Sequence, residues 1–146
     1  MIRNFEEYTS EMTEDEINYI IPRLIKMLTL AIGKGNALTN RKIVYDINIR
    51  NAVTKPDPSG EYRKQVTTSE PRIRHMIHIL RVSDAIPCLI ATSAGYYISN
   101  DRQEIETYMG SIDDRLRSIY QIRRALKRQL KDWGSHVSAV QRELIF

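Results

Sequence analysis

Five side chains able to hold an anion fall within ten residues of one another: Arg72, Arg74, His75, His78 and Arg81. Arginines on an exposed helix face pair bidentately with guanine edges, and flanking ones bind phosphate. His75 and His78 stand three apart, a spacing at which two imidazoles can share a metal. No Cys, Asp or third His stands near enough in the sequence to complete such a site, so no metal is expected. Further along, Ser93-Ala-Gly-Tyr-Tyr97 brings a hydroxyl and two phenols to a turn and the strand after it. Adjacent strand residues point to opposite faces, so one tyrosine ring packs inward and the other outward, where it can touch sugar or phosphate. Ser93 and Tyr97 are the candidate contacts there, beside the alternative that both rings only stabilise the hairpin. Catalytic signatures are missing: there is no G-x-x-x-x-G-K-[ST], no G-x-S-x-G and no H-E-x-x-H, and the acidic residues are not spaced like those of a two-metal nuclease. The pattern is that of a binding protein without a cofactor.

The elements that position these residues follow from periodicity. Thr13-Glu-Asp-Glu16 fits a capping box, and Ile17, Ile20, Ile21, Leu24, Ile25, Leu28 and Ile32 then repeat on one helix face to about Gly33. Pro22 lies inside that pattern and predicts a kink or break. Ala37-Leu38 reads as a very short strand, and Thr39 caps a short second helix with Ile43, Val44 and Ile47 inward. Residues 51–68, with Pro-Asp-Pro and Ser-Gly, read as a polar loop. A third helix over 68–83 starts at Ser69 with Pro71 in its first turn, and it buries Ile73, Met76, Ile77 and Leu80. Pro71, His75, His78 and Val82 then oppose that stripe, flanked by Arg72, Arg74 and Arg81. Two runs of β-formers over 88–99 make a hairpin, with Gly95 serving its turn. A last helix over 101–132 is about 45 Å long at 1.5 Å per residue.

The 146-residue chain carries a net charge of +4, distributed unevenly. Residues 1–16 hold six acidic residues against Arg3, a net −5, which leaves +9 on the rest. A basic body points to a polyanion partner. Between Arg115 and Lys131 there are seven cationic residues and no acidic one, beside an apolar seam of Ile112, Leu116, Ile119, Ile122 and Leu126. A lone helix of that length would leave its seam wet, so homodimerisation through these five residues is expected. Cys88, the single cysteine, cannot form an intrachain disulfide and reads as a small buried hydrophobe. No apolar run is long enough for a membrane span and the amino terminus lacks a signal-peptide core, which predicts a soluble intracellular protein.

The succession of helix, short strand, helix, loop, helix, hairpin and long helix is the order of a winged helix-turn-helix domain, in which the third helix enters the major groove beside a hairpin wing. The fold class expected is therefore mainly α, with a small wing and a long C-terminal helix. The run Glu70-Pro-Arg-Ile-Arg-His-Met-Ile-His-Ile-Leu-Arg81, then Ile86-Pro-Cys-Leu-Ile-Ala-Thr-Ser-Ala-Gly-Tyr-Tyr-Ile98, then Asp101-Arg-Gln-Glu-Ile-Glu106, resembles a group of small phage and prophage winged-helix proteins. Two features depart from the group's pattern: the long 51–68 loop, and Val82-Ser-Asp84 where an Asn-Gly turn is commoner. The resemblance implies binding of double-stranded DNA in replication or transcription control, in the cytoplasm of a bacterial host. The organisation that results is an acidic arm over 1–12, a winged-helix domain over 13–100, a dimerisation helix over 101–132 and a tail over 133–146 that forms one more short helix. The alternative is a protein-interaction module that takes an acidic protein partner on the same face and assembles through its long helix.

Overall fold

A computed structural model of the chain describes residues 11–52 and 66–135. Most of the 51–68 loop, most of the acidic arm and the helix expected within the tail lie outside those residues. The described chain is mainly helical, with one two-stranded antiparallel sheet and a long C-terminal helix. It divides into two compact units at Ile105/Glu106.

The first unit begins at the capping box, which forms as the sequence predicts. The Glu16 N–H donates to Thr13 Oγ1 at 3.2 Å, and the Thr13 N–H donates to Glu16 Oε1 at 3.0 Å. A π-helical turn, Glu16–Ile20, then runs directly into α1, Ile21–Leu30, with Pro22 in the first α turn. The break expected at Pro22 takes this form: the helix changes pitch just ahead of the residue that has no N–H to donate. Ile20, Leu24 and Leu28 of this stretch are fully buried. The helix stops at Leu30, short of Gly33, and Ile32 is exposed instead of inward. Ala31 and Gly33 turn to the sheet: the Ile98 N–H donates to the Ala31 carbonyl at 2.7 Å, and the Gly33 N–H to the Ile98 carbonyl at 2.9 Å.

A 3₁₀ turn, Lys34–Asn36, leads to Leu38, which exchanges two backbone hydrogen bonds with Tyr96. This bridge is the very short strand expected at Ala37-Leu38. α2 spans Asn40–Ala52, with Thr39 Oγ1 accepting from the Lys42 N–H. Ile43 and Ile47 are fully buried and Val44 half-buried. α3 spans Glu70–Val82, with Ser69 at its N-cap in extended conformation. Ile73, Met76, Ile77 and Leu80 are buried as predicted, and Ile79 joins them. These side chains meet Ile86 and Leu89 in one apolar core.

β1, Leu89–Thr92, pairs with β2, Gly95–Ile98, so that Leu89 faces Ile98 and Thr92 faces Gly95. Gly95 has a purpose the sequence reading did not assign. A Cβ at this position would lie 2.5 Å from the Leu38 carbonyl oxygen, and its φ is +120°. The glycine is required by the close approach of the Leu38 backbone as well as by the turn. Cys88 corrects another expectation: it is exposed and adopts a φ of 62°, immediately before the first strand.

The last helix, α4, spans Arg102–Lys131 and carries the chain from Ile105 into the second unit. None of its residues is buried. Among the described residues, no helix is long and apolar enough to cross a membrane.

Candidate nucleic-acid interface

The position of α3 is set by polar contacts to α2. Asn40 Nδ2 donates to the Glu70 carbonyl at 3.1 Å, tying the first turn of α3 to the start of α2. Asn48 holds the approach to α3 on both sides: its Oδ1 accepts from the Thr68 N–H at 2.9 Å, and its Nδ2 donates to the Thr68 carbonyl at 3.1 Å. The apolar stripe of α3 fixes its rotation, since Ile73, Met76, Ile77 and Leu80 must face the core.

The five anion-binding candidates on α3 are thereby sorted into two groups. Arg72 is engaged by the carboxyl end of the acidic leader, residues 1–16. Its Nε donates to Glu16 Oε2 at 2.9 Å and its Nη2 to Glu16 Oε1 at 2.6 Å, a two-pronged pair, with a further bond from Nη2 to the Glu11 carbonyl at 3.2 Å. The Glu16 side chain is only 8% exposed, against 42% for Arg72. The hydrogen-bonded Arg72 guanidinium holds the Glu16 carboxyl below its ordinary range, against the opposing effect of burial, while Glu16 raises Arg72 further. His75 lies beside the same leader, with Nε2 3.4 Å from Glu11 Oε2. Arg72, offered above as a DNA contact, is therefore a structural ion-pair partner.

Of the other three, Arg74 and His78 face solvent. Glu70, Arg74 and His78 stand four apart along one line of α3, and all three are exposed. Arg81 follows one turn on and is half-buried. Glu70 also lines an open groove of about 730 Å³ together with Arg41, Lys42 and Tyr45 of α2. Arg41 and Lys42 are both exposed and form a cationic pair on α2, with Glu70, the acidic first member of the α3 line, lining the groove beside them. Neither residue is among the contacts expected from the sequence. Their signal was the pair of consecutive cations in the first turn of α2, after Thr39 and Asn40, where the free N–H groups of a helix start already favour an anion.

On the hairpin, Ser93 is exposed at the turn. Tyr97 is corrected: it is only 2% exposed and cannot offer its ring to a ligand. Burial, together with the neighbouring Glu104 carboxylate, pushes its phenol pKa up. Tyr96 is half-buried and packs against the core, so both rings stabilise the hairpin. Among the described residues, no group of three or more His, Cys, Asp or Glu side chains could hold a metal ion.

Of the five residues assigned to dimerisation, Leu116, Ile119, Ile122 and Leu126 are each more than half exposed, and Ile112 is half-buried. No protein-family model matches the chain, and no curated protein or solved structure shows significant similarity to it.

Proposed function

We propose that this chain binds double-stranded DNA as a winged helix-turn-helix protein, with α2 and α3 as the helix pair and the β1–β2 hairpin as the wing. The observation that carries the reading is the exposed pair of Arg74 and His78 on α3, with two further exposed cations, Arg41 and Lys42, on α2, where they line one groove with Glu70. Exposed arginines on a helix of this kind bind guanine edges and phosphates, and cations at the start of the adjoining helix add phosphate contacts. Ser93 at the hairpin turn gives the wing a hydroxyl for the backbone. The contact set is Arg74, His78, Arg81 and Ser93, extended by Arg41 and Lys42. The resemblance of residues 70–106 to phage and prophage winged-helix proteins supports a place in replication or transcription control. A homodimer formed through α4 would read a pseudo-palindromic site.

A second reading has its own support. Two positions of α3 already hold carboxylates of the chain's own leader, Glu16 on Arg72 and Glu11 beside His75. A face that accepts acidic side chains in cis can accept them from an acidic protein.

Fluorescence anisotropy separates the two readings. Wild type and the Arg74→Glu, Arg81→Glu double variant are titrated with random duplex DNA at several salt concentrations, with circular dichroism to verify folding. The DNA reading expects binding that weakens steeply with salt, and at least a tenfold loss in the variant. Binding that is absent at low salt, or indifferent to both charge reversals, overturns it and directs attention to an acidic protein.

A further inference from the structure

The exposed seam of α4 carries information about the direction in which it is paired. Its seam positions follow the heptad period: Ile105, Ile112, Ile119 and Leu126 stand every seventh residue, and Met109, Leu116 and Leu130 occupy the row between them. Met109, Leu116, Ile119, Leu126 and Leu130 are all more than half exposed. The single break in the seam is Arg123, which falls seven residues after Leu116 and seven before Leu130.

Charge is divided along the same helix. Residues 102–114 hold Arg102 against Glu104, Glu106, Asp113 and Asp114, a net −3, whereas residues 115–131 carry a net +7. Two copies in parallel register would stack the +7 halves on each other and set Arg123 against Arg123 inside the seam. Like charges brought together in this way oppose pairing. Two antiparallel copies set each acidic half against a basic one. With the chains fully overlapped, Leu116 meets Ile119 of the second copy, Met109 meets Leu126, and Ile105 meets Leu130. Arg123 then meets Ile112, next to the Asp113 carboxylate of the second copy, so the one charged seam residue finds a counter-ion.

We propose that α4 pairs with α4 of a second copy as an antiparallel coiled coil centred between Leu116 and Ile119. This rests on the dimer invoked for the proposed function, and adds its orientation. The direction of the pair is read by pulsed electron–electron resonance on full-length protein with Cys88→Ser, spin-labelled at Thr107→Cys or, separately, at Arg128→Cys. Both positions are exposed and lie off the seam. An antiparallel pair gives label separations of about 35–40 Å at either site, since about 21 residues at 1.5 Å each offset the labels by about 30 Å along the axis and the outward faces of two helices, each about 10–12 Å across, lie about 20 Å apart. A separation of about 20–25 Å at both sites, the width of the pair with no axial offset, means a parallel pair and overturns the proposal. So does a monomeric mass by light scattering at tens of micromolar, in which case the seam is covered by something else. Ile119→Asp is expected to give a monomer whose first unit keeps its circular dichroism. DNA binding is measured separately by anisotropy, so a monomer that still binds DNA removes this inference and leaves the DNA reading in place.

Discussion

Ile43 in α2 is completely buried, while Ile119 in α4 is 62% exposed. Both are isoleucines that helical spacing sets beside other apolar residues, Ile43 one turn before Ile47 in α2 and Ile119 within the seam of α4. The difference is that the first unit supplies its own cover, since three helices and a hairpin close on one core, whereas no described residue of the second unit is buried. Charges follow the same division. Arg72 and Glu16 meet across 56 residues of sequence with the carboxylate nearly buried, but the Arg117–Asp114 pair of α4 is local, with side chains 69% and 72% exposed. An apolar stripe therefore shows that a face is made to be covered without showing what covers it.

The largest expected effect contrasts the two units directly. Leu80→Ala empties a fully buried site of the core and should lower the stability of the first unit by about 3 kcal/mol, the usual cost of such a cavity. Leu116→Ala makes the same chemical change on the exposed seam and should leave the first unit's urea midpoint unmoved, with its effect confined to the concentration dependence of dimerisation. Equal losses in the first unit would mean that the two units do not behave independently.

What the sequence shows and what it conceals divide in a similar way. The capping box, the inward residues Ile73, Met76, Ile77 and Leu80, the hairpin and the long helix are legible because each depends on residues close together in the chain. Ile79 was missed because a helix packed on more than one side buries a wider arc than its main stripe. Tyr97 turns inward because alternation along a strand does not say which face meets the core, and Cys88 is exposed because it stands just before β1 at a φ of 62°, where the usual burial of cysteine gives no guide. The ion-pair role of Arg72 is not legible in the residues beside it, because its partner is supplied by the leader, whose acidity shows in the sequence only as net charge. Nothing local in Ser-Ala-Gly-Tyr announces that the Leu38 backbone passes within contact distance of Gly95.

That last approach provides the next test. Gly95→Ala adds a Cβ 2.5 Å from the Leu38 carbonyl oxygen at a φ that L-residues rarely adopt. The backbone must shift, at a cost of roughly 2–3 kcal/mol. Because Leu38 and Tyr96 exchange two hydrogen bonds at this point, hydrogen exchange of the Leu38 and Tyr96 amides should accelerate while that of α4 does not. Unchanged protection at Leu38 would remove the close approach as the reason for glycine.

The smallest effect sharpens the comparison of charges, and here the sign is fixed by the Glu16 pKa. Arg72 holds that carboxyl below its ordinary value in the folded chain. A group depressed on folding binds its proton less readily than in the unfolded chain. It therefore contributes its full stability above the unfolded carboxylate range and loses it as pH falls through the lower folded value. Glu16→Gln removes the charge and leaves the guanidinium with a neutral acceptor, which should lower stability at pH 7 by about 1–2 kcal/mol. The gap between wild type and variant should narrow as pH is lowered from about 5 toward 3, since wild type then becomes protonated at the same position. Urea midpoints at pH 7, 5 and 3 measure that gap. In Asp114→Asn the corresponding exposed pair of α4 is broken, and a surface pair of this kind contributes at most a few tenths of a kcal/mol. A Glu16→Gln gap that does not change with pH would show that the capping-box hydrogen bonds, and not the ion pair with Arg72, hold the leader against α3.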